Sequence, residues 1–208
     1  MISETVSFAL PKGRLAEQTV ELFVNRGVCG PDVVDFSSRK LIFEDKDAGV
    51  NFLLIRNSDV TTYVEHGAAD FGVVGADVLT EAESPLYEFY DLGFGACRMS
   101  VAAPDAEQYL YTHNMRVATK YPNITKRFFA DKGVFIEVIK LYGSIELAPL
   151  TGLADYIVDL VESGETLRKN GLSEVEVMMS SSARLVGNPN LVRAKYERIK
   201  EILSVLEQ

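Results

Sequence analysis

The sequence predicts an α/β protein with largely parallel sheets. Three observations predict it: short strand-like runs alternate with helix-like ones, glycine-bearing turns follow the strands, and the composition is that of a folded globular chain. At 208 residues the chain suffices for one sizeable core or two small lobes, and 47% hydrophobic with 25% charged residues is ordinary for either.

Thr5–Leu10 alternates apolar and polar residues as a half-buried strand does. After Pro11-Lys12-Gly13, the run from Arg14 to Arg26 places Leu15, Gln18, Thr19, Leu22 and Phe23 at helical spacing and stops at Gly27. Lys40–Glu44 and Val50–Arg56 read as strands of a hairpin around Asp45–Gly49. A helix capped by Ser58 or Asp59 runs to Glu65 and is stopped by His66-Gly67; Asp70–Val74 is a buried strand ending at Gly75. Leu86–Leu92 and Arg98–Ala103 are strands on either side of Gly93-Phe94-Gly95. Strand Met115–Thr119, helix Asn123–Lys132, strand Val134–Ile139 and strand Asp155–Leu160 follow. Asn190–Glu207 puts Tyr196, Ile199, Ile202, Leu203 and Leu206 on one stripe of a closing helix. Gly93–Gly95 and Val175–Ser182 are the candidate crossings between lobes.

Several classes of function are disfavoured at once. A net charge of −9 without a basic stripe argues against a nucleic-acid binder. No apolar run approaches the roughly 20 residues of a membrane span, and the opening Met1–Thr5 lacks the pattern of a secretory leader, so a cytoplasmic location is expected. Cys29 and Cys97 make no disulfide framework or metal motif and read as buried thiols. His66 suits a helix end and His113 a polar turn, which leaves no histidine-based nucleophile system.

One segment carries chemistry. Asp155–Val161 is a strand that delivers Glu162-Ser163-Gly164-Glu165-Thr166-Leu167 to a short helix ending near Asn170-Gly171. Unpaired amides at such a start, with hydroxyls from Ser163 and Thr166 and a permissive Gly164, suit a phosphate. A Ser-Gly-x-Thr turn alone is as often plain helix start. The acids Asp159 and Glu162 beside it fit a phosphorylated sugar, whose hydroxyls need acceptors or whose diphosphate travels with Mg²⁺.

Glu146, Gly152, Ala154, Ile157, Asp159, Leu160, Ser163, Gly164, Thr166 and Leu167 fall in a spacing that resembles the signature of the ATP phosphoribosyltransferases. The resemblance extends through Leu10–Arg14, Ser38-Arg39-Lys40, Asp59–Asp77, Ala118–Asn123 and Lys140–Pro149. It implies two α/β lobes of the periplasmic-binding-protein type II kind with a cleft between them. Residues 1–93 with 177–208 would form the first lobe, and 94–176 the second, which carries the phosphoribosyl pyrophosphate loop.

The same resemblance implies transfer of phosphoribosyl to ATP, the first step of histidine biosynthesis, with Mg²⁺ held mainly by substrate phosphates. Asp155, Asp159, Glu162, Ser163, Gly164, Glu165, Thr166 and Leu167 would take phosphoribosyl pyrophosphate, Glu165 facing solvent. Lys12, Arg14, Arg56, Gly75 and Asp77 would take ATP, and Arg14 and Arg39 would neutralise the departing pyrophosphate. Two alternatives stay open: Asp77 as ligand or helix cap, and Glu146 as site residue or loop cap. As a short-form chain it would form a homodimer within a hetero-oligomer, beside a regulatory subunit resembling histidyl-tRNA synthetase. Two rival readings remain. One is a non-enzymatic solute-binding module, which shares the Gly67-x-x-Asp70-x-Gly72 pattern; the other is a phosphoribosyltransferase with a different acceptor.

Overall fold

A computed structural model describes residues 5–104, 109–188 and 195–206. The chain divides into two compact units, residues 1–79, 83–95 and 182–208 in the first and 80–82 and 96–181 in the second. Strand and helix labels follow chain order.

The first unit is built on a six-stranded sheet of order β2-β3-β1-β4-β11-β5. Its strands are β1 (Val6–Pro11), β2 (Ile42–Asp45), β3 (Val50–Ile55), β4 (Phe71–Gly75), β5 (Tyr87–Asp91) and β11 (Ala183–Gly187). Helices α1 (Arg14–Asn25), α2 (Val60–Glu65), α3 (Ala76–Ala82) and α7 (Tyr196–Leu206) accompany it. Side chains alternate across each strand. Phe8 and Leu10 therefore enter one core with Phe23 of α1, Phe52 and Phe71, while Ala9 enters another with Val60 and Val64 of α2. The Phe8 ring lies 5.9 Å from Phe52 of β3 and 5.4 Å from Phe71 of β4, so β1 is held from both sides by aromatic contact.

The second unit has a five-stranded sheet of order β10-β6-β9-β7-β8. These strands are β6 (Cys97–Ala103), β7 (Met115–Thr119), β8 (Ile136–Lys140), β9 (Tyr156–Val161) and β10 (Ser173–Ser181), with helices α4 (Pro122–Asp131), α5 (Leu147–Leu150) and α6 (Glu165–Lys169). Val117 and Val158 face Phe129 of α4, and Ala118 and Ile157 face Ala148, Leu167 and Leu172. Both sheet faces are thus covered.

The sheets are mixed rather than mainly parallel. β1 runs parallel to β3 and β4, and β7 parallel to β8 and β9. β2–β3, β4–β11, β5–β11, β6–β9 and β6–β10 are antiparallel. The stretch 175–182 is mostly β10, and the chain crosses between units at its end, from Ser181 to Ser182, as it does from Gly95 to Ala96, both at expected crossings. α2 begins at Val60 after a 3₁₀ turn at Asn57–Asp59 with no side-chain cap bond. Part of the expected closing helix, 190–194 and 207, lies outside the described residues.

The pattern shared with solute-binding modules is structural. Gly67 (φ 75°) ends α2, and a Cβ on Gly72 would meet Val60 at 2.6 Å, so glycine lets α2 lie against β4. The Asp70 carboxylate, almost wholly buried, accepts the Ser7 amide at 2.8 Å and the Lys195 ammonium at 2.9 Å. Lys195 also donates to the Thr5 carbonyl at 2.8 Å. One carboxylate thereby ties β1 to the residue just before α7.

Cys29 is buried, and burial, aided by the nearby Asp45 carboxylate, pushes its thiol up to about 11. Cys97, which opens β6, is half-buried.

Candidate active site

Parallel strands collect ligand-binding loops at their carboxyl ends, and each unit has one such edge. In the second unit β9 runs out at Val161 into the loop, and the turn Lys120-Tyr121 follows β7 beside it. Thr119, fully buried, fixes that turn: its hydroxyl donates to the Val158 carbonyl at 2.8 Å and accepts the Tyr121 amide at 2.9 Å.

A cavity of about 270 Å³ is lined by Glu146, Asp159, Leu160, Val161, Glu162, Ser163, Gly164, Glu165, Thr166 and Leu167. Gly164 (φ 75°) is the residue before α6, and the Ser163 hydroxyl accepts the Glu165 amide at 3.3 Å. Glu165 points to solvent, paired with Lys169 at 2.7 Å, and the Leu167 side chain is buried in the core. Leu167 thus offers the site only its backbone.

Asp159 is the half-buried acid of β9 that lines the cavity. Burial raises its pKa from the ordinary carboxylate range; the Leu160 amide draws it back, Glu146 raises it further and Lys120 opposes. Glu146 makes no cap bond to α5, so of its two readings the cavity-lining one matches its side chain.

Asp155 is not brought to this cavity. It precedes β9, where its carboxylate accepts the Arg116 amide at 2.7 Å and faces the Arg116 guanidinium at 3.5 Å. Four residues of strand, at ~3.3 Å each, put it some ~13 Å from Asp159 along β9.

The first unit gathers the remaining residues along the corresponding edge of its own sheet. Lys12 and Arg14 follow β1, Arg56 follows β3, and the Lys12 amide donates to the Ile55 carbonyl at 2.8 Å. The Leu54 amide donates to the Leu41 carbonyl at 2.8 Å, which brings Arg39, two residues earlier on the antiparallel partner, to that edge as well. All four cations are exposed. Gly75 ends β4, and Asp77, almost wholly buried, is inside the first turn of α3 rather than at its cap.

Lys120, which follows β7, acts on Asp159 through its charge, a residue that the motif reading does not point to. Its signal is position, a basic residue just past the end of a parallel strand. Among the described residues, no three His, Cys, Asp or Glu side chains are grouped as a metal site, and no helix is long and apolar enough to cross a membrane.

Residues 56–208 match the profile of HisG, the ATP phosphoribosyltransferase family. The chain belongs to that family. An ATP phosphoribosyltransferase of Caldanaerobacter subterraneus is 50% identical over 205 residues, covering 99% of this chain and 97% of the relative, so the family likeness includes the segments of Lys12, Arg14 and Arg39. The ATP phosphoribosyltransferase of the HisG:HisZ complex from Thermotoga maritima superposes with a TM-score of 0.85 at 35% identity, over 98% of this chain and 97% of that one. A putative L-cystine ABC transporter from Listeria monocytogenes superposes at a TM-score of 0.63 with 12% identity, over 97% and 89% of the two chains. The last likeness concerns the fold alone. The ATP phosphoribosyltransferase family is therefore carried here on two α/β units of the periplasmic-binding-protein type II kind.

Proposed function

We propose that this chain performs the first step of histidine biosynthesis by direct displacement: N1 of the ATP adenine bonds to C1 of the ribose as the C1–O bond to pyrophosphate breaks, giving phosphoribosyl-ATP. The observation that carries the residue assignment is the single cavity that unites the loop 162–167 with Asp159 and Glu146. Amides and hydroxyls of Ser163, Gly164 and Thr166 take the sugar phosphate, and Asp159 and Glu146 accept from the ribose hydroxyls. Lys12, Arg14, Arg56 and the Gly75–Asp77 strand end take ATP, with Arg14 and Arg39 drawing charge off the leaving pyrophosphate. Two aligned substrates and a stabilised leaving group suffice without a covalent enzyme intermediate. Mg²⁺ typically binds through one or two carboxylates plus substrate phosphates; Asp159, Glu146 and Glu162 offer such carboxylates, and the ion would neutralise pyrophosphate charge.

The loop-bearing lobe would be the unit of residues 80–82 and 96–181, against the expected 94–176, and the other unit the nucleotide lobe. The chain works in the cytoplasm, where both substrates are made. Likeness to the chain of the HisG:HisZ complex supports assembly of a hetero-oligomer with a second, regulatory subunit, within which this chain would form a homodimer. The test is incubation with ATP, phosphoribosyl pyrophosphate and Mg²⁺, with pyrophosphatase to draw the reaction forward. Absence of phosphoribosyl-ATP with and without the regulatory partner would overturn this reading.

Two variants test the loop. At Gly164 an added Cβ would meet only Val161, at 3.8 Å, so the obstacle to a side chain is the left-handed backbone. Gly164→Val is expected to weaken phosphoribosyl pyrophosphate about tenfold, the equivalent of the ~1–2 kcal/mol left-handed strain. Calorimetric titration that returns the wild-type Kd would make the loop structural only.

Asp159→Asn should separate stability from binding. The folded-state pKa of Asp159 is raised, so its ionisation costs stability as pH climbs from the ordinary value through the raised one, and the cost persists above. Asparagine removes that cost: the variant should melt higher than wild type at neutral pH, with the advantage fading below about pH 4. Binding of phosphoribosyl pyrophosphate should nevertheless fall about tenfold for loss of a charged acceptor. A variant no more stable at neutral pH would refute the burial cost.

A further inference from the structure

We infer that Arg98 is a positioning residue for the phosphate loop, holding it through the Glu162 carbonyl and itself held by Glu174. This rests on the loop being the phosphoribosyl pyrophosphate site. The β6–β9 ladder reaches its last register pair at Arg98 and Val161, and the loop leaves the sheet at the next residue, Glu162. There the Arg98 guanidinium continues the ladder by one rung: Nη1 donates to the Glu162 carbonyl at 3.1 Å.

A flexible side chain fixes a loop only if it is fixed itself. Arg98 Nε donates to Glu174 Oε2 at 2.8 Å, and the same oxygen accepts the hydroxyl of Ser100, almost wholly buried, at 2.8 Å. Glu174 is on β10, the strand that follows α6. The loop is therefore pinned where it leaves β9 by a group anchored just after its helix. A separate cavity of about 210 Å³, lined by Arg98, Glu174, Ser163, Gly164 and Leu167, puts this network against the loop and outside the cavity that holds Asp159 and Glu146. Arg98 acts on the substrate only through the loop.

Such a residue should affect one substrate. Arg98→Met is expected to raise the KM for phosphoribosyl pyrophosphate about tenfold, as for a lost charge-assisted hydrogen bond, with the KM for ATP unchanged. Arg98→Lys keeps the charge without the fork and should fall between wild type and methionine; it also carries the test should the methionine variant not fold. Glu174→Gln should raise the same KM about threefold, and the Arg98→Met/Glu174→Gln enzyme should be no worse than Arg98→Met alone, because Glu174 works through Arg98.

Steady-state kinetics in both substrates, with Gly164→Val measured in parallel, decides the matter. If Gly164→Val weakens phosphoribosyl pyrophosphate and Arg98→Met does not, the loop reading stands and the Arg98 role falls. If neither variant has an effect, both fall. Equal rises in both KM values would make Arg98 a general stability residue, and additive effects of Arg98→Met and Glu174→Gln would sever the proposed connection between them.

Discussion

Arg14→Ala is expected to lower kcat on the order of 10²–10³-fold, the loss found when a preorganised group facing developing charge is removed. Its melting temperature should stay within about 2 °C of wild type, since substitutions at exposed positions seldom matter beyond a few tenths of a kcal/mol. The side chain is exposed at the carboxyl end of β1, along the same sheet edge as Lys12, Arg39 and Arg56. Arg14→Lys keeps the charge but loses the fork that matches a diphosphate, so it should recover only part of the rate. Single-turnover measurement separates the chemical step from release. A rate within about tenfold of wild type would remove Arg14 from the leaving-group role.

The second large effect concerns stability. Asp70→Ala leaves the Ser7 amide and the Lys195 ammonium without the carboxylate that both address. The Lys195 side chain is about a quarter exposed, 27%, so the cost lies at the lower end for a broken buried pair, about 3 kcal/mol. For a chain of this size that corresponds to a fall in melting temperature of roughly 10 °C. Asp70→Asn retains an acceptor and should lose about half as much. Calorimetric melts would show it, and a fall below about 2 °C would mean that α7 is held by its apolar stripe alone.

Elements with strong local patterns were legible. Met115–Thr119 occupies the range its sequence predicts, and the 40–56 hairpin forms with its turn at the acidic glycine-ended segment. Strand direction was not, because alternation along one strand says nothing about which neighbour it meets. β10 escaped recognition for a physical reason. It bears register shifts between Glu174 and Glu176 and between Val177 and Met179, so the two-residue period is broken where a reader would look for it. β11, five residues with four buried, lacks the length to show any period.

The site divides similarly. The loop was legible because its candidate phosphate-binding groups are contiguous in sequence: Ser163, Gly164 and Thr166 line one cavity with Asp159. Asp155 and Asp159 share a strand face by spacing, yet an extended chain separates them, and only strand length reveals that Asp155 lies away from the cavity that Asp159 lines. Lys120 follows β7 and Arg98 is on β6. Their proximity to Asp159 and Glu162 comes from the orders β6-β9-β7, which no local pattern encodes.

The contrast between the two cysteines gives the loop an observer. Thiol reagents select by thiolate fraction and access, and Cys29 is deficient in both, buried and shifted to about 11. Cys97 is the more accessible of the pair and neighbours Arg98, whose guanidinium meets the first residue of the loop. A small fluorophore or fluorinated tag directed to thiols would therefore settle chiefly at one address in the natural sequence, adjacent to the loop proposed to take phosphoribosyl pyrophosphate.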